Sequence, residues 1–168
     1  MPAAKQTVEK QRDSSMQVLE LKIPPVLVFL ACAAIMWITS RAISVAAFTL
    51  PIAPMAAVSL TLLGGAIAVA GVVEFRRHNT TVNPTRPEAT TSFVCSGIFR
   101  VTRNPMYLGL AVALTAWAIY LENTAALLLL PVFVAYMTRF QIKPEERALL
   151  SQFGSEYADY AAIVRRWL

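Results

Sequence analysis

Arg103-Asn104-Pro105-Met106-Tyr107-Leu108-Gly109 sets a guanidinium, an amide and a phenol at the mouth of an uncharged run, Asn104 to Leu121, of 18 residues. A helix of that length rises roughly 27 Å, close to the roughly 30 Å hydrocarbon core of a bilayer. Reading this stretch as the polar start of a membrane span decides the fold, because the rest of the chain repeats the pattern. Charges are also absent from Ile23 to Ser40 (18 residues) and from Ala42 to Val73 (32 residues), and Asn123 to Thr138 adds 16 more with only Glu122 between it and the preceding run. The last two runs are slightly short and predict a tight hairpin. The expected fold is all-α, a polytopic membrane helical bundle of four transmembrane helices with a polar site at one interface.

Composition agrees. The chain is 57% hydrophobic with a mean hydropathy of +0.54, more than a water-soluble chain of 168 residues usually carries, and the length leaves room for a single domain over residues 1–168. Lys5, Lys10, Arg12 and Lys22 precede the first run; Arg76, Arg77, Arg86, Arg100 and Arg103 fill the central loop; Arg139, Lys143, Arg147, Arg165 and Arg166 follow the fourth run. The other two loops hold only Arg41 and Glu122. That asymmetry predicts cytoplasmic termini and a cytoplasmic central loop. The net charge of +5 then reads as topology and attraction to anionic headgroups, not nucleic-acid binding, since basic and aromatic residues do not interleave outside the membrane pattern. Cys32 and Cys95 lack metal-ligand spacing, His78 is the only histidine, and no metal site is expected. No cleavable signal is set off from what continues as a span.

Along the chain, residues 1–21 are polar and mixed in charge. Pro24-Pro25 suits the first turn of span one, which runs from about Pro24 to Ile43. Pro51 and Pro54 place an outer loop near Phe48–Pro54, with span two from about Met55 to Val73. Residues 79–97 read as loop with at most a short helix near the end. Asn104 is the expected cap of span three and Pro105 its first turn. A Glu122-Asn123 turn leads to span four, which Pro131 should bend and which ends near Phe140. Pro144 should begin a separate last helix, with Leu149, Phe153, Tyr157 and Tyr160 on one face, lying across the cytoplasmic surface.

A glutamate at a membrane interface is costly unless a cation or hydrogen-bond donors meet it. Pairing Glu145 or Glu146 with Arg103, Arg165 or Arg166 is the cheapest arrangement.

The order Arg103-Asn104-Pro105-Met106-Tyr107-Leu108-Gly109, then Pro144-Glu145-Glu146-Arg147-Ala148-Leu149, then Phe153-Gly154-Ser155-Glu156-Tyr157 with Tyr160 and Arg166-Trp167, resembles the membrane-integral isoprenylcysteine carboxyl methyltransferase and phospholipid methyltransferase group. The resemblance covers roughly Asn83 to Trp167. Carboxyl methyltransferase members usually have histidine where Asn104 stands; asparagine still donates and accepts but cannot titrate.

The resemblance implies transfer of a methyl from S-adenosyl-L-methionine to a lipophilic or membrane-embedded acceptor, with residues 83–167 as the catalytic half and the C-terminal interfacial helix covering the cofactor site. It implies that Asn104, Pro105, Tyr107, Leu108, Gly109, Glu145, Glu146 and Tyr157 line the cofactor pocket. Asn83, Tyr160 and Arg166 would meet the acceptor, and Arg166, Glu146 and Arg103 would act in catalysis. The acceptor is expected to be an isoprenylcysteine-like carboxylate, with a phospholipid amine as the alternative. The expected location is the inner membrane of a prokaryote with the site facing the cytoplasm. Outside enzymes, a non-catalytic membrane scaffold would keep the fold without cofactor binding, and a transporter would place its polar groups near mid-membrane. Oligomeric state is open.

Overall fold

A computed structural model describes residues 20–78 and 94–168. Asn83 and the polar residues 1–19 lie outside the described residues. The described elements are α1 (Pro25–Ala42), a 3₁₀ turn (Ser44–Ala46), α2 (Ala53–Arg77), a second 3₁₀ turn (Gly97–Arg100), α3 (Pro105–Tyr120), α4 (Thr124–Leu127), α5 (Leu129–Met137), a π-turn (Thr138–Ile142) and α6 (Lys143–Ile163). Among the described residues there is no β-strand, only an isolated bridge between Ala47 and Asn123. The all-α membrane bundle expected from the sequence is what forms.

Among the described residues, three helical stretches are long and apolar enough to cross a bilayer: Pro25–Ala42, Ala53–Arg77 and the run Thr124–Ile163; α3 is a shorter apolar helix. Apolar side chains such as Val26, Leu27, Leu30, Ile38, Met55, Leu62 and Val69 stand more than half exposed on α1 and α2, as a lipid-facing surface requires. The run Thr124–Ile163 has 40 residues. At 1.5 Å per residue it would extend roughly 60 Å, twice the hydrocarbon thickness, so only its apolar first half, up to the π-turn, fits the bilayer core. Lys143 and the charges after it lie beyond.

Helix starts follow the prolines. Pro25, Pro54 and Pro105 each occupy a first-turn position, where a missing N–H costs nothing. Pro54 therefore opens α2 instead of belonging to the preceding loop, and α2 begins at Ala53.

Helices α2 and α3 form the most extensive pair. Two glycines permit it. A Cβ on Gly109 would lie 2.5 Å from the Gly64 carbonyl oxygen, and a Cβ on Gly64 would lie 2.6 Å from that of Gly109. Ala68 and Gly71 continue this small-residue stripe, Gly71 receiving the Pro105 ring. On the other side of α3, Val28, Met36, Tyr107, Leu114, Phe133, Met137 and Ile142 make the buried core with α1 and α5.

The loops at the far end are laced together. Glu122, at φ 48°, accepts from Phe48 N–H through its carbonyl (2.9 Å) and from Leu50 N–H through its carboxylate (2.7 Å). Asn123 is 1% exposed; its Oδ1 accepts from the N–H groups of Ala125 and Ala126 and its Nδ2 donates to Ile43 O at 2.9 Å. Asn123→Ala removes a helix cap and leaves a buried carbonyl without its donor, so it should cost about 2 kcal/mol of stability. Thermal unfolding in detergent checks this.

The last helix corrects the sequence reading. Pro144 stands in the first turn of α6, but α6 is not set apart from span four, which runs into it through the π-turn. Proline deprives the carbonyl four residues back, Phe140 O, of its donor and crowds it. The chain resolves this by widening one turn, so that Lys143 N–H donates to Thr138 O, five residues back. Leu21 N–H then donates to Phe140 O at 3.0 Å. Span four is interrupted at Leu128, between α4 and α5, three residues before Pro131. The real bend in α6 is at Gly154, whose φ of 54° and ψ of −126° leave the helical region. Nothing lies within 4 Å of a Cβ there, so glycine serves the backbone angle alone.

Candidate functional site

The site is assembled at the end of the bundle where α3 starts. Leu108 N–H donates to Asn104 O at 2.9 Å, which sets Tyr107 on the inner face one turn below, 4% exposed. The Tyr107 hydroxyl donates to Glu145 Oε1, held by the turn after the π-turn. No ion pair reaches Glu145 among the described residues. Burial, reinforced by the Glu146 charge and opposed by the Tyr107 hydrogen bond, pushes the Glu145 carboxyl up to about 8.

Its neighbour Glu146 is in the opposite situation. Arg166 grips it with two donors, Nε to Oε1 at 2.9 Å and Nη2 to Oε2 at 2.6 Å, and Arg103 Nη2 approaches Oε1 at 3.4 Å. This forked pairing is the strong form of carboxylate recognition. Two adjacent glutamates are thus divided: one is locked by two arginines, the other faces a phenol with no cation.

Arg103 also hydrogen-bonds Tyr157, which is 5% exposed, while its Nε is buried without a hydrogen-bond partner. Burial, together with the Glu146 charge, pushes the Tyr157 hydroxyl up to about 12 against the pull of Arg103 and Arg166. Tyr160 reaches Phe99 O at 2.7 Å. The Gly154 bend comes before both tyrosines in the chain and directs this last part of α6.

The C-terminus forms a strap over the start of α3. Arg103 N–H donates to Arg165 O at 3.0 Å, Asn104 Nδ2 to Arg166 O at 2.8 Å, and Trp167 Nε1 to Thr138 Oγ1 at 3.0 Å. The side chain of Asn104 therefore does not cap α3, although the residue holds the cap position.

Of the residues singled out from the sequence, Arg103, Asn104, Tyr107, Glu145, Glu146, Tyr157 and Arg166 come together in this network. Pro105, Leu108 and Gly109 are buried in the same turn but supply packing: Pro105 against Gly71 and Gly109 against Gly64. Thr102 was missed. It is fully buried, its hydroxyl accepting from Asn104 N–H at 3.2 Å and approaching Arg166 O at 3.4 Å. A hydroxyl two residues ahead of a helix cap is the signal that could have found it.

Behind the site, Glu74 ties α2 to the segment 94–100. Ser96 Oγ donates to Glu74 Oε2 at 2.8 Å and lies 3.4 Å from His78 Nε2, and Phe99 packs edge-on against Phe75. Gly97 is favoured there by its φ of 55°, and its missing Cβ leaves room for the Glu74 carboxylate. His78 belongs to this anchor and is away from the Tyr107–Glu145 pair in the hydrogen-bond network.

The donor set suits a small zwitterion that also carries a cationic centre. Among the described residues, Glu145 offers a carboxyl with no cation of its own, and Arg103 offers a buried N–H with no acceptor. No cluster of three metal-ligating side chains occurs among the described residues.

The sequence model of the phospholipid methyltransferase family matches residues 52–156, well over half of the chain. An uncharacterised protein of Haemophilus influenzae is 46% identical over 63 residues, which is 38% of this chain and the whole of that protein. No solved structure matches.

Proposed function

Since this chain belongs to the phospholipid methyltransferase family, an integral-membrane family of methyltransferases acting on membrane lipid or isoprenylcysteine-like substrates, we propose that it uses S-adenosylmethionine to methylate a lipophilic acceptor at the cytoplasmic face of the inner membrane. The observation that carries this reading is the division of the two glutamates, with Glu146 paired to arginines and Glu145 facing Tyr107 without a cation among the described residues. When bound, the cofactor supplies an electrophilic methyl on a sulfonium.

The residues have separate tasks in this reading. Glu145 holds the cofactor's positive end, and Tyr107 fixes the direction of that carboxylate. Arg103 receives the cofactor's carboxylate through its buried Nε. Glu146 holds Arg103 and Arg166 apart from Glu145 and keeps both guanidinium groups oriented. Tyr157 and Tyr160, after the Gly154 bend, cover the site, and Gly109, Pro105 and Leu108 provide the packed floor. No covalent enzyme intermediate is needed: alignment of an acceptor lone pair with the methyl, in a site closed to water, supplies the rate. Asn83 and the acceptor side of Arg166 and Tyr160 complete this assignment for the headgroup.

An isoprenylcysteine-like carboxylate is the first acceptor, since Arg166 would orient an anion. A phospholipid amine is the alternative acceptor, and it would have to lose its proton before or during the transfer.

Calorimetric titration of nanodisc-held protein with S-adenosylmethionine tests the reading before any acceptor is chosen. One-site saturable binding is expected, weakened about tenfold in Tyr107→Phe, which removes one hydrogen bond to a charged group. Absence of binding by folded protein would move the chain to the scaffold reading, whereas full affinity in both Tyr107→Phe and Glu145→Gln would overturn this assignment of the pocket. A following screen of prenylated thiol carboxylates and aminophospholipids separates the two acceptors.

A further inference from the structure

We infer that Glu20 and the backbone of Leu21, in the segment before the first span, are positioning groups that hold the π-turn and thereby aim Glu145 at Tyr107. The inference deepens the proposed function and rests on it for what Glu145 does; the positioning itself is a matter of geometry.

A π-turn adds one residue to a helical turn and rotates everything after it by about 100° relative to an uninterrupted α-helix. Here it ends at Ile142, and Glu145 follows within one turn. Without the extra residue the Glu145 side chain would leave the face that meets Tyr107. The register of the catalytic carboxylate is therefore a consequence of the π-turn.

Three contacts from the N-terminal segment grip this turn. Leu21 N–H donates to Phe140 O at 3.0 Å, the carbonyl that Pro144 leaves without its α-helical donor. Gln141, fully buried, donates from Nε2 to Ile23 O at 2.8 Å. Glu20, its side chain 10% exposed, bridges Arg139 within the π-turn, at 2.5 Å, and Arg147 one helical turn or so past it. Glu20 thus bridges an arginine within the π-turn and one beyond it. Leu21 accepts a left-handed φ of 58° to present its N–H, a conformation leucine adopts only when its surroundings enforce it. Glu20, Leu21 and Ile23 precede the region matched by the family model, which begins at residue 52.

Infrared titration of the apo protein in nanodiscs tests the clasp independently of any ligand. Wild type should show a protonated carboxyl band at neutral pH that titrates near 8 and is absent in Glu145→Gln. The groups facing that carboxyl are Tyr107 from α3 and Glu146 beside it. In Glu20→Ala the midpoint should fall by at least one pH unit as the carboxyl turns from Tyr107 toward water, with Glu20→Asp restoring most of the difference. Arg147→Gln, at an exposed position, should move it in the same direction by less. A purely structural anchor would alter thermal stability and leave the midpoint in place. An unmoved midpoint in Glu20→Ala and Arg147→Gln, or no protonated carboxyl in wild type, would overturn the inference. Titration with S-adenosylmethionine is the second arm, with about tenfold weaker binding expected in Glu20→Ala. Failure of wild type to bind would count against the proposed cofactor while the infrared arm still decides the clasp.

Discussion

Glu145→Gln should weaken S-adenosylmethionine binding by about two orders of magnitude at pH 9 and abolish the pH dependence of that binding below it. The amide keeps the shape and a hydrogen bond from Tyr107 but loses the charge, and removing one partner of a buried charge pair costs about 3 kcal/mol, roughly 100-fold. In wild type burial pushes the carboxyl up to about 8. Below that value the free protein holds a neutral acid and must release a proton to meet a cation, so affinity should climb with pH and level off above 8. The variant has no proton to release and its affinity should be flat. Stability carries the opposite sign. An unfolded glutamate ionises near the ordinary value of about 4.3, so between that pH and 8 the folded state binds the extra proton. Stability of the free protein therefore falls as pH rises through that window, and Glu145→Gln should remove this part of the fall. Calorimetry at several pH values and thermal unfolding without ligand measure the two effects on the same preparation.

Gly109→Val should prevent α2 and α3 from closing. The first added carbon already lies 2.5 Å from the Gly64 carbonyl and 2.9 Å from the Ala68 Cβ. Neither is the end of a flexible side chain, so relief requires the helices to separate. Overpacking of this kind costs typically 1–3 kcal/mol when side chains can shift, and here the obstacle is backbone. We expect more than 3 kcal/mol, seen as loss of the folded species in detergent unfolding curves. Gly65→Val is the control: a Cβ there meets nothing within 4 Å, and the change should be nearly silent.

The two predictions draw on different layers of legibility. Span positions could be read directly, because the bilayer imposes a length on any uncharged helix and the chain supplies charges only between such runs. Proline gave the helix starts for the same local reason, its missing N–H being harmless in a first turn. Pro144 shows where that reasoning stops. A proline after a charged residue reads as a new helix, yet Leu21, more than a hundred residues away, donates to the stranded carbonyl and the helix runs on. No local rule contains that partner.

The candidate site divides in the same way. The sequence by itself determined that arginines, an asparagine, a tyrosine and paired glutamates would meet at one membrane face, since burying any of them elsewhere in hydrocarbon is too costly. It also determined the prolines that start the helices, whereas the close approach of α2 and α3 at Gly64 and Gly109 came from the structure. Only the tertiary structure decided which glutamate is neutralised by Arg166 and Arg103 and which faces Tyr107 without a cation. The two are adjacent, and a one-residue widening of the helix rotates their side chains by about 100°. That widening depends on Glu20 and Leu21, so the roles of two neighbouring residues are set by contacts from the far end of the chain.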